Sequence, residues 1–124
     1  MNDWCQETFT KNGLFKKIRK SKITKKLAEE RFLKFIDKYF EKDTPIIIAG
    51  NSIHQDRKFI FKHLKKIEKR LHYRMLDVTS FGILFKNKYD KSLKRETEAT
   101  HLALDDVKES IKELEFYTKY IKKR

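Results

Sequence analysis

A single cysteine, Cys5, stands in the 124 residues. No internal disulfide can form, and the chain fits a reducing compartment: the cytoplasm is expected, with the mitochondrion as the alternative. No apolar run approaches the roughly 20 residues that span a bilayer, and no signal-peptide pattern opens the sequence. A membrane protein and a secreted disulfide scaffold are therefore not expected. His54, His63 and His72 have no zinc-ligand spacing with Cys5, which argues against a structural zinc. A glycine-rich phosphate loop is also missing, which argues against a nucleoside triphosphatase.

Acids are the scarcer charge, 18 against 31 Lys and Arg, for a formal net charge of +13. That balance favours polyanionic partners through phosphate neutralisation and counterion release. It equally suits a chain that uses lysine wherever a solvated residue will do. Hydrophobic residues make up 39% and charged ones 40%, so the chain is globular, one domain over 1–124 with a modest core.

Asp3-Trp4-Cys5-Gln6-Glu7 reads as a short helix that Asn12-Gly13 breaks. Between Lys16 and Lys26 seven of eleven residues are basic, interleaved with Ile18 and Ile23; this is either a phosphate-facing patch or a solvated helix face. Ala28, Phe32, Phe35, Ile36, Tyr39 and Phe40 recur at helical spacing and predict a buried face. Asp43-Thr44-Pro45 ends that helix. Ile46-Ile47-Ile48-Ala49, bounded by Pro45 and Gly50, reads as a strand buried on both sides. After the turn Gly50-Asn51-Ser52, the residues Ile60, Leu64, Ile67 and Leu71 predict the inner stripe of a helix. A shorter strand is expected over Arg74–Val78, then a helix capped by Thr79 or Ser80. Lys86–Thr97 reads as a polar loop, and a last helix should bury Leu104, Val107, Ile111, Leu114 and Ile121. The fold class is α/β and helix-rich, with a sheet too small to stand on its own.

Two stretches carry chemistry. Gly50-Asn51-Ser52-Ile53-His54-Gln55-Asp56 leaves a strand and enters a helix, the place where open α/β sheets set their sites. Thr100-His101-Leu102-Ala103-Leu104-Asp105-Asp106 opens the final helix. Acids in a first turn also simply suit the helix dipole, so Asp56, Asp105 and Asp106 each have a structural reading as well. Mg²⁺ or Mn²⁺ wants hard oxygen ligands, which Asp56 and Asp106 supply. His101 is then left as general base, since an imidazole has a reference pKa near 6.5.

Taken together, Ile48 to Phe59, His72-Tyr73-Arg74-Met75-Leu76-Asp77-Val78-Thr79 and Thr100 to Ser110 closely resemble the oligoribonuclease family, and Asp3-Trp4-Cys5 and Gly13-Leu14 resemble its preceding segment. That family consists of 3′-to-5′ exonucleases with a ribonuclease-H-like fold, four acidic metal ligands and a histidine. The resemblance implies that Asp56 and Asp106 are two of the ligands and His101 the base. It also implies that Ser52, Arg74 and Thr79 lie near the 5′ phosphate of a very short RNA. Tyr73, with His72, would reach the partner subunit's site in a homodimer. Asp77 suits a structural role. The family's other acids form Asp-x-Glu on its first strand, a pattern absent from this sequence. Phe9 stands where the family tends to place a phosphate-binding histidine. The resemblance thus implies an incomplete exonuclease domain that begins after the family's opening strands. Two alternatives to an active exoribonuclease follow. One is an inactive remnant or split-enzyme half that keeps the dimer and RNA surfaces. The other is a basic helical module that binds nucleic acid by charge alone.

Overall fold

The computed structural model describes residues 3–89 and 101–121 and divides the chain into two compact units. One unit holds residues 23–81; the other joins residues 1–22 to 82–124.

In the first unit, helix α3 (Lys25–Tyr39) starts where the Thr24 hydroxyl accepts the Leu27 amide at 3.2 Å, an N-cap that satisfies one of the free donors of the first turn. (Helices α1, Asp3–Lys11, and α2, Leu14–Lys20, precede it in the other unit.) Strand β1 (Ile46–Gly50) leads into α4 (Ile53–His63), the single turn α5 (Lys65–Glu68) and strand β2 (Leu71–Asp77). The two strands run parallel, with Ile48 opposite Met75, Ala49 opposite Leu76 and Gly50 opposite Asp77. A parallel pair needs a crossover of a dozen residues or more, which α4 and α5 provide. Ile36, Ile53, Ile67 and Val78 form the buried centre of this unit. Polar ties fasten α3 to the crossover: the Glu29 carboxylate accepts the Lys66 amide at 2.7 Å. Arg70 likewise pairs with Asp37 and donates to the Glu41 carbonyl.

The second unit adds α7 (Ala103–Thr118) to α1 and α2, and takes most of α6 (Val78–Tyr89). Phe85 and Tyr117 are its buried pair, with ring centroids 5.1 Å apart. Gly82 lies against that pair: a Cβ there would come within 3.2 Å of the Tyr117 hydroxyl, close enough that the tyrosine would have to shift by a few tenths of an ångström.

Several expectations need correction. Strand β1 is one-sided: Ile46 and Ile48 are half-buried, whereas Ile47 is 56% exposed. On α3 only Ile36 is buried, and Phe32, Phe35, Tyr39 and Phe40 face solvent along with Ala28. On α7 the expected stripe of Leu104, Val107 and Ile111 is exposed, Leu114 is half-buried and Ile121 lies past the helix end. For β1 and α3, which lie in the same unit as the sheet, the physical reason is shared. Periodicity marks a face that is able to bury, and a two-stranded sheet covers too little surface to bury every such face. Leu64 is not mid-helix but a break between α4 and α5, and Leu71 already belongs to β2, which starts three residues before Arg74. Lys86 to Tyr89 continue α6; the rest of the expected polar loop, from Asp90 on, lies outside the described residues.

Candidate functional site

The ends of β1 and β2 meet at one carboxylate. Asp77 closes β2, and its Oδ1 accepts the backbone amides of Ser52 and Thr79, each at 3.0 Å. Its Oδ2 faces His54 Nδ1 at 3.4 Å. The Thr79 hydroxyl accepts the Ser52 amide at 3.0 Å, donates to Asn51 Oδ1 at 3.3 Å and stands 3.5 Å from the Ser52 hydroxyl. Burial pushes the Asp77 carboxyl up, but the hydrogen bonds from the Thr79 amide, the His54 ring and the Ser52 amide outweigh it and hold the group below its ordinary value. Asp77 thus has the structural role expected of it: it ties two strand-to-helix turns together.

Ser52 is held there with φ +50°, left-handed backbone that serine rarely adopts. Its hydroxyl does not cap α4; it stands beside Thr79, so two hydroxyls from distant parts of the chain share one spot. One turn along α4, Asp56 is exposed, and among the described residues its carboxylate has no ion pair or hydrogen-bond partner. The next residue behaves differently. Arg57 is half-buried, pairs with Glu68 at 3.6 Å and donates to the His72 carbonyl, holding the crossover to β2.

Further back on β2, His72 and Tyr73 stack with centroids 4.4 Å apart. The Arg74 amide donates to His72 Nδ1 at 3.0 Å, which leaves Nε2 as the protonated nitrogen of a neutral ring. The Arg74 guanidinium lies 5.2 Å from the Tyr73 ring centre, a cation–π distance. Tyr73 itself is 70% exposed, so an aromatic face and a cation are both presented outward.

In the other unit His101 precedes α7 at φ +54°. Among the described residues, only Ser52 and His101 combine a positive φ with a side chain. Trp4 meets His101 edge-on, with centroids 5.1 Å apart and planes at 83°. Asp105 and Asp106 occupy the first turn of α7, where both amides converge on the Leu102 carbonyl. Asp105 is half-buried and engaged; Asp106 is exposed and unpaired among the described residues.

The unit of residues 23–81 therefore gathers Ser52, Asp56 and Thr79 near the strand ends, with His72, Tyr73 and Arg74 along β2. The other unit carries His101 and Asp106 within one turn. Among the described residues no three His, Cys, Asp or Glu side chains come close enough to hold a metal ion. Trp4 was not singled out by spacing, although the sequence has only one tryptophan; its contact with His101 joins residues nearly a chain length apart and leaves no local signal.

The sequence model of the exonuclease family matches residues 1–114. An oligoribonuclease of Haemophilus influenzae (strain ATCC 51907 / DSM 11121 / KW20 / Rd) is 43% identical over 99% of this chain and 68% of its own length. One from Francisella tularensis subsp. tularensis (strain WY96-3418) is 45% identical over 94% of this chain and 65% of its own length. The chain spans about two thirds of the length of the curated relatives it matches.

Proposed function

Because the chain belongs to the exonuclease family, with oligoribonucleases as its relatives, we propose that it acts as a 3′-to-5′ exoribonuclease that takes 5′-mononucleotides off RNAs of a few residues. The observation that carries this reading is the junction at the strand ends. There Asp56, a solvent-facing carboxylate with no ion pair among the described residues, stands one helical turn from the paired hydroxyls of Ser52 and Thr79. A second acid of the same kind, Asp106, follows a histidine by five residues.

In kind, Asp56 and Asp106 suit a hard divalent cation, magnesium or manganese, because both are exposed oxygen donors without a competing ion pair among the described residues. In number they are two of the four acids expected of the family. Such a cation, when bound, would polarise the scissile phosphate and acidify the attacking water. His101 takes the proton from that water, its ring steadied at the edge of Trp4. The Ser52 and Thr79 hydroxyls and the Arg74 guanidinium hold the 5′ phosphate. Tyr73 and His72 present a stacked aromatic face that suits any base, and in a homodimer they serve the partner subunit's site. The single cysteine suits work in the cytoplasm.

The test is direct. A dinucleotide with a 5′ label is incubated with the chain at high concentration in Mn²⁺. Labelled mononucleotide that vanishes in Asp56→Asn is the expected result; no mononucleotide from the wild type defeats the reading for this chain.

A further inference from the structure

The stretch from Lys16 to Lys26 carries more charge than a dinucleotide-sized substrate can use. Lys16, Lys17, Arg19, Lys20 and Lys22 are followed after Thr24 by Lys25 and Lys26, and no acid occurs between Glu7 and Glu29. Every residue from Lys16 to Lys26 is exposed. None of the seven basic side chains makes an ion pair or hydrogen bond with another described residue. Arg57 and Arg70, in contrast, are spent inside the fold on Glu68 and Asp37. Helix α2 holds four of the seven charges and no acid, so its cations repel one another with no ion pair among the described residues to relieve them. Such a surface is stabilised by a polyanion that neutralises it.

We propose that Lys16–Lys26 is an RNA-binding arm that grips the phosphate backbone of strands longer than those the catalytic residues cut. Six of its seven cations are lysines, compact point charges that contact phosphates without reading bases. The stretch contains no aromatic residue, so it offers no stacking platform and tolerates any sequence. Choosing RNA as the occupant rests on the exoribonuclease reading above; the binding itself is independent of turnover.

Each phosphate neutralised on a single strand contributes about −0.7 to the slope of log affinity against log salt. Seven contacts therefore give a slope of about −5, or roughly a 1000-fold loss of affinity between about 50 and 200 mM KCl. Fluorescence anisotropy in EDTA, which prevents cleavage, would compare a labelled oligouridylate of about 12 residues with diuridylate, a site-size range typical of single-strand binders. The longer strand should show the steep slope and the dinucleotide a slope of about −1. The quadruple variant K16Q/K17Q/R19Q/K20Q, which removes mutual repulsion and so keeps the fold, should make the slope shallower by about 3. A control with the same charge change at exposed positions elsewhere, K34Q/K42Q/K58Q/K62Q, should leave it within about 1 of wild type.

Equal losses in both quadruple variants would mean diffuse charge and overturn the arm. Binding to phosphatidylglycerol vesicles without binding to the longer RNA would also overturn it. Dinucleotide hydrolysis with no binding of the longer strand would remove the arm and leave the exoribonuclease standing. Salt-dependent binding without hydrolysis would do the reverse.

Discussion

Replacing Asp77 by alanine unties the junction on which the candidate site is built. The substitution removes two amide-to-carboxylate hydrogen bonds of 3.0 Å and a weaker contact to His54 at 3.4 Å. Hydrogen bonds to a charged group contribute about 1.5–3 kcal/mol each. The Asp77 side chain is 26% exposed and Ser52 is open to water, so the lower end applies and the contact to His54 adds little. Asp77→Ala should therefore cost about 2–3 kcal/mol, which for a chain of this size lowers Tm by about 8–10 °C. Asp77→Asn keeps an acceptor but loses the charge, and should cost about 1 kcal/mol.

The pH dependence has a definite sign. Because the folded carboxyl lies below its ordinary value, its stabilisation is fully present above the unfolded value near 4 and disappears as pH falls through the folded one. Urea titrations of wild type and Asp77→Asn should therefore differ at pH 7 and converge on acidification below about pH 4. An Asp77→Ala variant within about 0.5 kcal/mol of wild type, the range of ordinary surface changes, would refute the tie. So would a gap between wild type and Asp77→Asn that widens in acid.

Three further outcomes are expected. Ser52→Gly relieves a left-handed serine and should leave stability equal or raised by up to about 1 kcal/mol. If Ser52 holds the 5′ phosphate as proposed, calorimetry should show mononucleotide affinity falling about five-fold, the worth of one hydrogen bond. His101→Asn keeps a residue type that tolerates φ near +54°, so circular dichroism should be unchanged while hydrolysis drops by about 10²–10⁴. Ile67→Ala empties a position with 0% exposure and should cost about 2–5 kcal/mol in urea, with no specific effect on RNA affinity.

Punctuation was the legible part of this fold. Asn12-Gly13 separates α1 from α2, and Pro45 and Gly50 bracket β1, because turn chemistry is local and leaves its residue types in place; the cap expected at Thr79 or Ser80 instead lies inside α6, which starts at Val78. Burial was much less legible. The stripe Phe32, Phe35, Tyr39 and Phe40 has helical spacing yet faces solvent, since covering it depends on surface contributed from elsewhere. The run Ile60, Leu64, Ile67 and Leu71 mimicked one helix, although the backbone breaks at Leu64 and the last member pairs with Ile46 in the sheet. In the candidate site the structure brings Ser52 and Thr79 together and gives Asp77 the tying role expected of it, while Asp56, His101 and Asp106 remain proposals. Two features escaped the sequence. The left-handed backbone at Ser52 and His101 is a property of φ, and the edge contact of Trp4 with His101 joins residues too far apart to leave a pattern.

The central claim is that the junction at the strand ends presents Asp56 as a ligand for a divalent ion. Manganese is paramagnetic and broadens the amide resonances of residues close to it, so titrating it into isotope-labelled chain reads the claim without any need for turnover. Broadening should reach residues 52–57, and Asp56→Asn should abolish it there. No broadening at 52–57, or broadening there that survives in Asp56→Asn, would contradict the account.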